Sequence, residues 1–242
     1  MIELIPLLVA SVFVLLGAMV QGSVGFGVGM IAAPFLMWAI PDAMPATLIA
    51  LGGAMTLTTL ATQWRHIDLP TLGWAVLGRL PGLVLGAWLV VIAPTNVMGI
   101  LVGLAVVVAV VLQWSRWVIR QAPRNLVVAG LVSGTTGTAT GIGGPPVAMV
   151  LAREPGPVVR ATLAAYFLLG SALSLGALAL MGQVATSHLV NMLALLPALL
   201  LGALLARPVA RYLDDGRTRK AVLVLAAVSG LVLAISSWVS HH

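Results

Sequence analysis

The chain has 242 residues, of which 61% are hydrophobic and 7% charged, and it contains no cysteine. A soluble domain of this size carries about 25% charged residues, so this sequence cannot cover itself with a water-soluble surface. It reads as a single transmembrane domain over residues 1–242, with disulfides, thiolate metal sites and cysteine nucleophiles excluded.

The formal charge is +6, from eleven Arg and one Lys against six acids. In a membrane protein such an excess marks cytoplasmic loops, and no nucleic-acid partner is expected. The start, Met1-Ile2-Glu3-Leu4, lacks the basic region of a signal peptide, so the first apolar run is expected to be retained.

About 20 apolar residues cross about 30 Å of hydrocarbon. The apolar runs fall into about ten segments, near 3–20, 26–40, 43–63, 70–93, 96–117, 124–137, 141–152, 158–181, 186–206 and 218–239. Those at 26–40, 124–137 and 141–152 are short for a span and read as half-helices. Arg116, Arg120 and Arg124 mark one connection, and Arg207, Arg211, Arg217, Arg219 and Lys220 mark another, so both are expected at the cytoplasm. Both clusters are satisfied only if 124–137 and 141–152 form a hairpin or two crossings, which also returns Arg153 and Arg160 to the cytoplasm. The same alternation places Arg65 inside, and the N-terminus, Asp42, residues 94–96, residues 182–188 and the C-terminus outside. His241 and His242 are assigned no function.

The chain also matches itself. Gly22/Gly134, Gly25/Gly137, Gly29/Gly141 and Pro34/Pro146 are each 112 positions apart, and Ser23/Thr135 keeps a hydroxyl. Ala46-Thr47-Leu48 returns at Ala161 with an offset of 115, and Leu80-Pro81-Gly82 through Gly86-Ala87 returns at Leu196 with an offset of 116. The expected architecture is therefore an all-α polytopic membrane protein built of two repeats, 1–117 and 118–242, of about five hydrophobic segments each. The charge pattern starts one repeat outside and the other inside, so the repeats are expected to be inverted, as in many transporters.

Two Gly-rich stretches interrupt the apolar pattern. Gln21-Gly22-Ser23-Val24-Gly25-Phe26-Gly27-Val28-Gly29 and Ser133-Gly134-Thr135-Thr136-Gly137, continuing to Gly141-Ile142-Gly143-Gly144-Pro145-Pro146, are poor helix interiors, since each Gly costs about 1 kcal/mol relative to Ala. The chain is expected to unwind over both. Unwound backbone at membrane depth survives only where protein or a wet cavity satisfies it, and the short helices that follow would aim N–H groups at that cavity. Gly22, Gly25, Gly27, Gly134, Gly137, Gly141 and Gly143 would let an oxyanion approach the backbone, with Gln21, Ser23, Ser133, Thr135, Thr136, Thr138 and Thr140 as neutral partners. Against this stands simple close packing of helices through small residues, with hydroxyls bonded to their own helices; recurrence of both breaks in the repeat favours a site.

Arg79 lies nine residues after Pro70, about 13 Å into the core at ~1.5 Å per residue. It either balances an anion in a cavity or snorkels toward the interface near Trp74. All six acids lie at ends or in loops, so no buried carboxylate relay is expected. No Walker sequence is present, and His66 and His188 fall on opposite sides, so no metal, cofactor or catalytic set is expected and the chain is not read as an enzyme.

At Gly22-Ser23-Val24-Gly25-Phe26-Gly27 with Pro34, and at Ser133 to Gly137 with Gly141-Ile142-Gly143-Gly144-Pro145-Pro146, the sequence resembles the sulfite exporter TauE/SafE family, also described as uptake permeases of aryl sulfonates. The resemblance covers nearly the whole chain. It implies movement of sulfite, sulfoacetate or other sulfonates across a bacterial cytoplasmic membrane, commonly outward. Thr138-Ala139-Thr140 departs from the plainer Gly-rich run expected there, which leaves substrate preference open. The reading that follows is a secondary transporter of a small anion working by alternating access. A passive anion channel, a non-transporting membrane subunit and an intramembrane enzyme are the alternatives. The lipid bilayer is the expected surrounding, and Gly/Ala-rich outer faces leave a homodimer open.

Overall fold

The computed structural model describes residues 4–115, 118–213 and 216–239, with 207–213 and 216–221 described by backbone alone. The charge assignments at Glu3, Arg116, Arg207, Arg211, Asp214, Asp215, Arg217, Arg219, Lys220, His241 and His242 lie outside the described residues or side chains. Among the described residues there are ten α-helices and no strand. The first five are α1 (Leu4–Val24), α2 (Val28–Ala39), α3 (Ala46–Gln63), α4 (Leu69–Ile92) and α5 (Thr95–Ser115). The second five are α6 (Pro123–Thr140), α7 (Gly144–Val150), α8 (Gly156–Leu180), α9 (Thr186–Leu213) and α10 (Gly216–Val239).

Each helix corresponds to one of the apolar runs, and the punctuation is ordinary chemistry. Asp68 caps α4, its carboxylate accepting the N–H of Thr71 at 3.2 Å and the Thr71 hydroxyl at 2.6 Å, and Pro70 sits in the first turn, where it forfeits no internal bond. Gly141 ends α6 in the left-handed conformation, φ 76°. Six helices are long and apolar enough to cross a membrane, on α1, α4, α5, α8, α9 and α10. The other four are shorter or carry more Thr, Ser and Gly, and they pack inside the bundle around the cavity described below.

Side-chain bonds gather the connections at two ends. At one end Gln121 donates to the Thr71 hydroxyl and to Asp68, the N–H of Asp68 donates to the Thr162 hydroxyl, Arg160 Nε donates to Gln63 Oε1 at 3.3 Å, and Ile119 N–H donates to the Met149 carbonyl. The connections α3–α4, α5–α6 and α7–α8 therefore share that end, and with them Arg65, Arg120, Arg124, Arg153 and Arg160. At the other end Thr47 donates to the carbonyl of His188, joining the α2–α3 and α8–α9 connections. Chain alternation puts the exposed Trp64, Trp74 and Trp114 toward the basic end and Trp38, Trp88 and Trp238 toward the opposite end, the paired aromatic girdles of a membrane protein.

The helices pack through glycine. Gly78, Gly82 and Gly86 on α4 lie against the carbonyls of Val127, Leu131 and Thr135 on α6, so close that a Cβ at any of them would collide with backbone. Gly202 on α9 lies equally close to the Leu15 carbonyl on α1. α3 packs on α8 and α5 on α10. In lipid no hydrophobic force drives helices together, and such backbone approach supplies the attraction instead.

Two facing helix breaks and a buried arginine

The unwound stretches are shorter than the glycine content suggests. α1 continues as helix through Gly22, Ser23 and Val24, and α6 through Gly134 to Thr140, leaving breaks only at Gly25-Phe26-Gly27 and Gly141-Ile142-Gly143. Packing explains the difference on α6, whose glycines are offset by its close approach to α4; the hydroxyls of Ser23, Thr135 and Thr136 are turned to the carbonyls of Met19, Leu131 and Val132 within their own helices, Ser23 also lying 3.5 Å from the Ala206 carbonyl on α9. The breaks lie 116 residues apart, Gly25/Gly141 and Gly27/Gly143, rather than at the 112 offset that the glycine spacing suggests.

At each break the chain reverses. α2 starts beside Gly17, whose Cβ, if present, would be 2.9 Å from the Val28 Cα. α7 doubles back along α6, with the Ser133 hydroxyl donating to the Gly143 carbonyl. Only Gly tolerates φ of 98° and 148° at positions 25 and 27. The two tips meet, Gly29 resting on the Gly141 carbonyl and Phe26 packing against Gly144. Gln21 reaches across its own break and accepts the Val28 N–H at 3.1 Å. Gly29 and Met30 stand in the first turn of α2, where the N–H groups have no carbonyl four residues back.

Between the tips lies a cavity of about 60 Å³ lined by both breaks and by Arg79, enough for a solute of a few heavy atoms when about 10–15 Å³ holds one water. Arg79 is 4% exposed and does not snorkel. Its guanidinium stands 5.0 Å from the centre of the Tyr166 ring, a cation–π contact, and Nη2 donates to the Ser174 hydroxyl at 3.3 Å. Ser174 in turn shares a 2.7 Å bond with Thr138. Gly170 leaves the space the guanidinium fills, since a Cβ there would collide with Cζ, and Gly134 leaves room for its stem, a Cβ there lying 3.0 Å from Cγ. Nε and Nη1 are buried with no acceptor. Among the described residues no Asp or Glu is buried, so the charge has no protein counter-ion in reach.

The family model described as Sulfite exporter TauE/SafE matches residues 9–233. The chain belongs to the sulfite exporter TauE/SafE family. Comparison with curated proteins and with solved structures gave no match. The family and the six apolar helices together make this a multi-pass membrane protein of a transporter family.

In this TauE/SafE protein, Gln21, Gly27, Arg79, Gly137, Gly141 and Gly143 line the central cavity. Ser133 supports it through Gly143. Gly134 backs the stem of Arg79, and Gly25 packs against Arg160 and Leu163. Gly22 lies instead on a separate cavity beside Met55 and Gln63. Thr135 and Thr136 spend their hydroxyls on their own helices, and Ser23 bonds the Met19 carbonyl of its own helix with a longer contact to the Ala206 carbonyl on α9. The sequence reading passed over Tyr166, Gly170, Ser171 and Ser174 on α8; the small and hydroxylic run Gly170-Ser171 with Ser174 one turn on, inside an otherwise apolar span, was the signal that could have found them.

Proposed function

We propose that this TauE/SafE protein is a permease for a small oxyanion, sulfite or a small organosulfonate, across a bacterial cytoplasmic membrane. The observation that carries the reading is Arg79: a permanently charged side chain, 4% exposed, that lines a cavity with no acid in its wall and whose Nε and Nη1 are buried without a partner. Each unpaired buried donor costs about 1–3 kcal/mol, a deficit that an oxyanion would remove with charge-assisted bonds. The N–H groups at the start of α2 add donors on the facing wall. The volume of about 60 Å³ fits sulfite or a small alkyl sulfonate better than an aryl one.

Alternating access of two inverted halves is the mechanism we favour. Three packing relations support it: under the repeat correspondence α1 on α9 exchanges with α6 on α4, α3 on α9 exchanges with α8 on α4, and the α1–α2 hairpin exchanges with α6–α7. The two hairpins enter from opposite ends and meet at their tips. Purified protein in liposomes should take up radiolabelled sulfite with saturation and with counterflow driven by unlabelled sulfite. Flux no greater than in empty liposomes would sink the permease reading, and non-saturating flux without counterflow would replace it by a channel.

A further inference from the structure

The central cavity is not the only space that the first break touches. A second cavity of about 440 Å³ opens at the basic end of the molecule, lined by Gln113, Glu154 and Arg160, and it shares two wall residues, Phe26 and Pro145, with the cavity around Arg79. Pro145 belongs to the first turn of α7 and is fixed in φ. Phe26 is 8% exposed, its ring lies against Gly144, and it hangs between Gly25 and Gly27, the two residues of positive φ in that break. Phe26 and Pro145 are thus the wall that the two spaces share, and of the two only Phe26, an aromatic ring on a two-glycine mount, can swing aside.

Resting on the anion-permease reading above, we infer that Phe26 is the gate between the Arg79 cavity and a vestibule whose anion station is Arg160. Arg160 suits that role. It is half-buried, its stem packs beside Gly25, and its Nε is held by Gln63 while no ion pair joins it to Glu154 among the described residues. An anion leaving Arg79 meets Arg160 next, with the Phe26 ring between them. The ring also sets an upper size for what passes. Rotation of the ring about its own side-chain bonds can move it while Gly25 N–H stays on the Gln21 carbonyl and Ile31 N–H on the Gly27 carbonyl, the bonds that close α1 and open α2.

The chain has no cysteine, so a single Cys reports access without background. Gly52 lines the central cavity and has nothing within 4 Å of a would-be Cβ, which makes Gly52→Cys the reporter. The probe is 2-sulfonatoethyl methanethiosulfonate, an anionic thiol reagent, applied to membrane vesicles of each orientation, with Arg65→Cys marking the face that carries the basic end. Adding Phe26→Ala should speed labelling of Gly52→Cys at least tenfold from the Arg65 face and leave it unchanged from the other. Equal rates from the Arg65 face in correctly folded protein overturn the gate. If Phe26→Ala aggregates, Phe26→Leu takes its place, with an intermediate acceleration expected and none overturning it. Arg160→Gln should slow the anionic reagent severalfold but not the neutral methyl methanethiosulfonate; equal slowing of both removes Arg160 as a station. Labelling needs no transport, so sulfite flux with Phe26-independent labelling sinks the gate alone, whereas Phe26-dependent labelling without sulfite flux sinks the substrate alone.

Discussion

The two hairpin tips do the same structural work with different residues. In the first, the side chain of Gln21 caps α2 and an aromatic ring fills the break; in the second, the Ser133 hydroxyl holds the Gly143 carbonyl, Thr140 accepts the Ile142 N–H at 3.3 Å, and Ile142 stands where Phe26 does. The helices behind them differ more. α4 carries Arg79 where α9 carries the buried Leu195. Paired glycines stand at both tips, but the buried charge of Arg79 and the Gln21 cap stand on one side only. On the repeat reading proposed above, the packing is common to both halves and the charged side chain belongs to one of them.

Arg79→Leu puts on α4 the residue type that α9 carries at Leu195 and should have the largest effect. Two charge-assisted bonds at the low end of about 1.5 kcal/mol each correspond to roughly a hundredfold loss of sulfite affinity, measured as a rise in half-saturation for uptake. The same change removes an unpaired buried charge, so the thermal midpoint should not fall; loss of uptake with a large drop in stability would mean that Arg79 is structural. Gly170→Ala comes next. Its Cβ takes the space of the guanidinium, an overpacking of about 1–3 kcal/mol, and affinity should weaken about tenfold while Gly176→Ala on the same helix, with open space around it, changes little. Gln21→Ala uncaps α2 only in the first half and should cost about 1 kcal/mol of stability, read by thermal unfolding. Smallest of all, Thr135→Ala and Thr136→Ala remove hydroxyls that bond their own helices, so each should stay within about 0.5 kcal/mol of the parent and leave uptake unchanged. A strong uptake defect in either would return those hydroxyls to the site.

The segment boundaries were legible because apolar runs, Pro and Gly are local signals, and Asp68, Pro70 and Gly141 act on their own neighbourhood. The extent of the breaks was not. Gly22 and Gly134 look like breakers in isolation, yet both stay helical, and Gly134 does so because α4 comes within touching distance of it, a contact invisible to spacing. For the same reason the glycine matches suggested a 112 offset, whereas the folded breaks align at 116. The two readings of Arg79 could not be separated by its depth along α4, since rise per residue says nothing about the face; the space that decides it is made by Gly170 on another helix. The polar end of the fold was better encoded, because Arg65, Arg120, Arg153 and Arg160 mark their connections directly.

The unsatisfied guanidinium has a thermodynamic consequence by linkage. A ligand that binds only the folded chain stabilises it by RT ln(1 + [L]/Kd), about 2.7 kcal/mol at a hundred times Kd, and on the proposed permease reading the largest share of that gain comes from Arg79. Folding yield and shelf life of the protein should therefore track the anion composition of the buffer, and the melting curve becomes an occupancy meter. Ranking anions by the midpoint each produces would order the substrates before any vesicle is made, and the ranking should collapse to a single value in Arg79→Leu.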